Sequence, residues 1–221
     1  MNTQLSPHYR NDDAEGLSPE VIDYLGEHYI PGLKNKSKAN PKLHVVFSGG
    51  NAMGKSTIAR KIQDEYGALV IENDEIKQHL RNKYPGIERE DLNVMTWRYS
   101  LWLYKNLDSI TKNGLVVRDG VIDWYYDRIL PEFLNNGYEL FVVAFDVSRE
   151  KAIELITKRG STDSINVDRQ IMLLEDHAIH TKRFRNEYTP DVVLTDRSIY
   201  DHQLVIDKLG QRLEMLAKST N

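Results

Sequence analysis

Apolar positions along this chain follow two patterns. Some fall in short, uniformly apolar runs, and others recur every three or four residues over longer stretches. The first pattern predicts strands at 43–47, 69–71, 115–117, 140–145 and 192–194. The second predicts helices at 56–66, 92–110, 129–136, 149–158, 169–184 and 200–218. Ile58, Ala59 and Ile62 mark the inner side of the first of these helices; Val205, Leu209, Leu213 and Leu216 mark that of the last. Trp97, Leu101 and Tyr104 share one helical face, which reads as core packing rather than a base-stacking surface. Strands apolar on both sides, alternating with amphipathic helices, predict an α/β fold whose parallel sheet is covered on both faces.

Ahead of this alternation, Ser18 and Pro19 look like an N-cap and a first-turn proline. They open a helix carrying Val21, Ile22, Leu25 and Tyr29, which Pro31-Gly32 is expected to stop. Residues 1–16 show no period and read as a flexible tail, and 34–42 as a basic linker. The expected division is therefore 1–40, a tail, short helix and linker, and 41–221, a nucleotide-binding domain.

Composition narrows the function classes. A chain of 221 residues, 40% hydrophobic, can bury one sizeable core without covalent help. The absence of cysteine excludes disulfides, zinc-thiolate sites and thiol nucleophiles. No apolar run approaches the roughly 18 residues of a spanning helix, and the polar N-terminus lacks a signal-peptide core. A cytoplasmic protein with no membrane partner is the expectation. A formal charge of -4 gives no general reason to expect a nucleic-acid partner.

The chemistry begins where the first strand ends. Gly49-Gly50-Asn51-Ala52-Met53-Gly54-Lys55-Ser56 satisfies GxxxxGK[ST], with a strand leading in and the amphipathic helix from Ser56 leading out, and Thr57 is counted with the nucleotide-binding residues. The glycines let successive N–H groups converge on one phosphate, and the helix adds the positive end of its dipole. Lys55 supplies a mobile charge for the β- and γ-phosphates, and the Ser56 hydroxyl is a Mg²⁺ ligand. The pattern predicts a P-loop for ATP with Mg²⁺. The GTPase NKxD motif and the transporter signature LSGGQ are both missing, which leaves the small-kinase group.

A kinase also needs an acceptor side. The second strand runs into Ile71-Glu72-Asn73-Asp74, across the expected crevice from the P-loop. Asp74 is the first choice for the group that orients and deprotonates an acceptor hydroxyl, with Glu72 second. The competing reading is an acidic helix N-terminus. The third strand ends in Arg118-Asp119-Gly120, placing Asp119 as a second acidic site residue, ahead of Asp123, where the alternative is a plain turn. Lys158-Arg159-Gly160 and the polar connection to Arg169 form a candidate lid, delivering Arg159 or Arg169 to the phosphates; the alternative is a basic helix C-terminus. Trp124-Tyr125-Tyr126 is a weaker candidate for the acceptor pocket wall. His177 and His180 read as surface residues.

These residues resemble the adenylate-kinase-like branch of P-loop kinases, and the zeta-toxin family in particular, over about 41–194. The resemblance implies five parallel strands in the order 2-3-1-4-5 with a lid, and ATP-dependent phosphorylation of a small-molecule hydroxyl. Ile71-Glu72-Asn73-Asp74 matches that family's IDxD-like element, with Asp74 in the base position. Asp119-Gly120-Val121 matches its acidic-Gly-Thr element except for the threonine. The resemblance therefore does not carry over that family's UDP-N-acetylglucosamine acceptor. Arg159 and Arg169 are the counterparts of its lid arginines. Nucleosides, nucleotides or polynucleotide 5′ ends are alternative acceptors. A nucleotide-dependent switch without an acceptor, and a toxin silenced by an antitoxin-like partner docking at the N-terminal helix, remain alternative readings.

Overall fold

The computed structural model describes residues 16–34, 40–111, 114–161 and 166–219. The expected tail at 1–16 (apart from Gly16), the middle of the expected linker at 34–42 and most of the lid connection at 161–166 lie outside the described residues. In chain order the elements are α1 (Pro19–His28), α2 (Ile30–Lys34), β1 (Leu43–Ser48), α3 (Lys55–Tyr66), β2 (Leu69–Glu72), α4 (Asn73–Lys83), α5 (Arg89–Lys105) and α6 (Leu107–Ile110). There follow β3 (Leu115–Val121), α7 (Tyr126–Asn135), β4 (Glu139–Asp146), α8 (Arg149–Arg159), α9 (Val167–Met172), α10 (Leu174–Glu187), β5 (Val192–Thr195) and α11 (His202–Ser219).

The strands form one sheet in the order β2-β3-β1-β4-β5, and every pair is parallel. Side chains alternate between its faces, so each apolar strand feeds two cores. Val46, Leu69, Ile71, Val116 and Val142 pack with α1, α4, α5 and α7 on one face. Leu43, Val45, Phe47, Val70, Val117, Phe141 and Val143 pack with α3, α8 and α11 on the other. β1 is buried along its whole length because it has neighbours on both edges and helices on both faces. Edge strand β5 instead alternates, with Val192 and Leu194 buried and Val193 exposed.

Four boundaries differ from the sequence expectation, each for a local reason. The helix expected at 92–110 breaks at Asn106, whose backbone leaves the helical region and whose Nδ2 donates to Trp102 O at 2.7 Å. The helix expected at 169–184 is two, α9 and α10, meeting at Leu173. Pro31-Gly32 does not end the first helical region, because Pro31 enters α2 in its first turn, where the missing N–H costs nothing. β3 runs on to Val121 through a register shift, Val45 facing Val117 but Phe47 facing Val121. The residues of β3 thus gained against β1 are those around Asp119-Gly120, and such a bulge re-aims side chains at a strand end. Ahead of the sheet, α1 buries Val21 and Leu25 in the α4–α5 core.

Candidate active site

At the middle of the sheet, chain order reverses direction: β1 has β3 on one side and β4 on the other. The crevice beyond the carboxyl ends of these strands is where ligands bind in open α/β folds. The loop leaving β1 enters it. Gly49 has φ +132° and Gly54 φ +85°, backbone that a side chain disfavours. A Cβ on Gly49 would also lie 2.9 Å from the Phe145 Cβ. Ala52, at φ 61°, is the one non-glycine residue with positive φ among the described residues. Such local strain concentrates at ligand-binding loops.

Lys55 is the first residue of α3 and is 9% exposed, with its ammonium over the Phe145 ring and donating to Gly50 O. Burial pushes its pKa from 10.5 down to about 8; Asp119 opposes the shift, Arg159 adds to it, and Asp123 opposes it weakly. A desolvated ammonium facing a loop of converging N–H groups is suited to an anion.

The acidic side assembles at the ends of β2 and β3. Glu72 and Asp119 are register partners. Both carboxyls are raised, first by burial; Asp119's charge then adds to the shift at Glu72. The Ser56 hydroxyl hydrogen-bonds Asp119, and with Lys55 this partly reverses its shift, whereas the charge of Asp74 adds to it. Asp74 lies in the first turn of α4, with its side chain 83% exposed and 3.4 Å from Lys77. The N-cap position of α4 is Glu72, and no side chain makes a cap hydrogen bond there. Asp74 therefore makes no cap bond, but with Glu75 it forms the acidic first turn of α4, as the competing reading has it, and its carboxylate is open to solvent.

Arg159 closes α8, and Lys158, Arg159, Leu155 and Tyr200 face residues 52–57 across a cavity of about 470 Å³. Thr57 and Met53 belong to this wall, so the P-loop and the end of α8 come together as expected. Asn51 is half-buried at the loop apex. Arg169 is exposed on α9, where Asn166 caps its backbone N–H at 2.8 Å, and it does not line this cavity. Trp97, Leu101 and Tyr104 are buried in the core as expected.

Two site residues, Arg185 and His177, escaped the sequence reading, and Asp123, its weaker acidic candidate, is buried at the start of the P-loop. Asp123, 1% exposed, accepts from the Gly49 N–H at 2.8 Å and the Thr181 hydroxyl at 2.6 Å. Its carboxyl is raised by burial, and these bonds counter the shift. Arg185 donates to Phe145 O at 2.9 Å and to Asp146 at 3.3 Å at the end of β4, and to the Ser48 hydroxyl at 3.4 Å at the end of β1. His177 is buried rather than on the surface, against Trp124. A signal for His177 and Arg185 was their spacing with Thr181, four apart on one helical face.

The match to known proteins agrees with this geometry. The zeta toxin family model matches residues 27–204. The chain belongs to the zeta toxin family. No curated protein matches it by sequence. Among the solved structures similar to this zeta toxin family member are the following three. One comes from the PezAT chromosomal toxin-antitoxin system of Streptococcus pneumoniae, with 13% identity, a TM-score of 0.57 and coverage of 84% of this chain and 81% of that one. The tunicamycin resistance protein of Deinococcus radiodurans has 17% identity, a TM-score of 0.53 and coverage of 78% and 95%. A gluconokinase from Sinorhizobium meliloti has 18% identity, a TM-score of 0.52 and coverage of 83% and 99%. At such identities the likeness is one of fold, and the fold is that of P-loop kinases. The family member's sheet order, 2-3-1-4-5, is the one its motifs implied. Among the described residues, no helix is long and apolar enough to cross a membrane.

Proposed function

We propose that this chain transfers the γ-phosphoryl group of ATP, with Mg²⁺, to a hydroxyl of a small-molecule acceptor. The observation that carries the reading is the electrostatic cluster at the crevice: Lys55 and Ser56 on one side, Asp119, Glu72 and Asp74 on the other, where Lys55 and Asp119 act on each other's pKa and the charge of Asp74 helps raise Glu72 and Asp119. Phosphoryl transfer requires this division, because one side must neutralise phosphate charge and the other must position a nucleophile.

In this mechanism Gly49, its N–H held by Asp123, starts the loop, residues 50–57 hold the triphosphate through backbone N–H groups, and Lys55 pairs with its outer phosphates. The Ser56 hydroxyl beside the Asp119 carboxylate forms a pair of hard oxygen donors that fits Mg²⁺. Bound there, the ion would offset charge on the phosphate oxygens. Asp74 accepts the proton of the acceptor hydroxyl as the new O–P bond forms and the bond between the γ-phosphorus and the leaving oxygen breaks, releasing ADP. Arg159, facing the P-loop across the cavity, is the first candidate to stabilise the transferring group; Arg169 would reach it only by movement of α9. Residues 41–221 would form the kinase domain, with 1–40 preceding it. A protein partner of antitoxin type is supported by the family and by the toxin-antitoxin setting of the pneumococcal structure; a chain that copurifies with this protein and suppresses its turnover would bear this out, and turnover unaffected by every copurifying chain would count against it.

The test is ATP consumption with Mg²⁺ over a panel of nucleosides, nucleotides, sugars, UDP-sugars and short oligonucleotides. Turnover stimulated by one compound class, abolished by Lys55→Ala and reduced about 10²-fold or more by Asp74→Asn with nucleotide binding retained, is the expected result. Full activity of Asp74→Asn would remove it as the base. Slow hydrolysis that no compound stimulates would refute the kinase reading.

A further inference from the structure

A second cavity, of about 460 Å³, lies on the β4 side of the P-loop. Gly49, Gly50 and Met53 form one wall, and α10 forms another through Leu174, His177 and Thr181. Three residues of α10, each four apart, dock this helix along the strand ends. Thr181 donates to Asp123, which also holds the Gly49 N–H. Arg185 donates to Phe145 O. The third contact is of a different kind. Trp124 Nε1–H donates to His177 Nδ1 at 3.0 Å, while the His180 ring stacks on the same indole at 4.1 Å.

An indole nitrogen can only donate, so His177 Nδ1 must be an unprotonated acceptor. Burial, and next the charge of Lys55, hold the ring's pKa near 4, so it is neutral around pH 7. A neutral ring with a bare Nδ1 carries its one proton on Nε2. That Nε2–H makes no hydrogen bond to any described residue, and the ring borders the cavity against Gly49 and Gly50. Arg149, Lys182 and Arg185 line the same cavity with Asp146 and Glu175, and Arg185 is paired with Asp146 at 3.3 Å. A fixed donor beside a phosphate-binding loop is matched to an anionic oxygen.

We propose that His177 is a phosphoryl-binding residue, its Nε2–H donating to an oxygen of the terminal phosphate of a nucleotide held by the P-loop. The inference rests on the reading that ATP occupies residues 49–56. Trp124 then acts as a positioning residue: by occupying Nδ1 it selects the tautomer that presents a proton to the ligand. The acceptor-side loop after β3 thereby sets the donor state of a group on the opposite helix. Asp123 and Thr181 hold the helix at that distance.

The test compares binding of the β,γ-imido analogue of ATP with binding of ADP, both with Mg²⁺, to the full chain. Loss of a hydrogen bond to a charged oxygen weakens binding by about ten- to a hundredfold. His177→Ala should therefore weaken the triphosphate analogue by about tenfold or more and leave ADP within about twofold. His177→Gln, which restores an N–H near the Nε2 position, should recover most of the loss. Trp124→Phe should give a smaller, triphosphate-selective loss. Equal weakening of both ligands would mean that His177 only packs, and no weakening would mean that it does not touch the ligand; either overturns the proposal. Should His177→Ala not fold, Trp124→Phe and His177→Gln decide it by the same ratio. If the unaltered chain binds neither nucleotide and matches Lys55→Ala, the parent reading fails and takes this one with it.

Discussion

Raising the pH of a nucleotide titration from about 7 to about 9 perturbs Lys55 more than any other group of the P-loop. Its ordinary pKa of 10.5 is depressed to about 8, chiefly because α3 and the P-loop bury it. That drop corresponds to roughly 3 kcal/mol disfavouring the charged form. With a pKa of about 8, about a tenth of the unliganded protein has neutral Lys55 at pH 7, half at pH 8 and nine-tenths at pH 9. A bound triphosphate supplies the counter-charge that burial removed and returns the amine to its charged form. Binding should then take up about 0.1 proton at pH 7, about 0.5 at pH 8 and about 0.9 at pH 9. Affinity should fall about twofold by pH 8 and about tenfold by pH 9. Calorimetric titration in buffers of different ionisation enthalpy measures the uptake directly, with Lys55→Met as the reference that lacks the group. The sign for stability is opposite to that for binding. The folded pKa lies below the unfolded one, so the unfolded chain holds more protons between about pH 8 and 10.5, and the unliganded protein gains stability across that window. Uptake that stays flat from pH 7 to pH 9, or is equal in Lys55→Met, would refute the buried-ammonium account.

Two further outcomes follow from the packing. Gly49→Ala combines an unfavourable φ with a Cβ 2.9 Å from Phe145, so it should abolish detectable nucleotide binding while lowering Tm by only a few degrees; binding within about threefold of the unaltered protein would show that the loop relaxes freely. Leu25→Ala empties a fully buried position under α1 and should cost about 2–5 kcal/mol in chemical denaturation, whereas a loss below about 1 kcal/mol would mean that α1 packs independently of the α4–α5 core.

The nucleotide half was legible in the sequence because its chemistry is local. Eight consecutive residues carry the P-loop, and the apolar runs around it needed only a period to be read. The acidic half was legible in part. Glu72 and Asp119 fall at strand ends and Asp74 in the helix turn that follows, but the pairing of Glu72 with Asp119 depends on which strands are neighbours and in what register, which no spacing rule announces. The clamp on α10 was not legible. His177, Thr181 and Arg185 are polar residues on a half-buried helix, a pattern shared with any solvated face, and their partners Trp124, Asp123 and Phe145 lie far off in the chain. The break at Asn106 escaped because the apolar period continues across it, and period alone does not register a side chain competing for a backbone carbonyl.

The sheet also acts as a partition between two trades. Helices α3, α8 and α11, which frame the phosphate loop, rest on one core, while α4, α5 and α7, which flank the acidic strand ends, rest on the other. Few side chains belong to both, because successive strand residues point to opposite sides. A lineage can therefore rebuild the second layer, helix by helix, and keep the energy-donating machinery intact. On that view, learning a new acceptor is a renovation of one storey, with the other left standing.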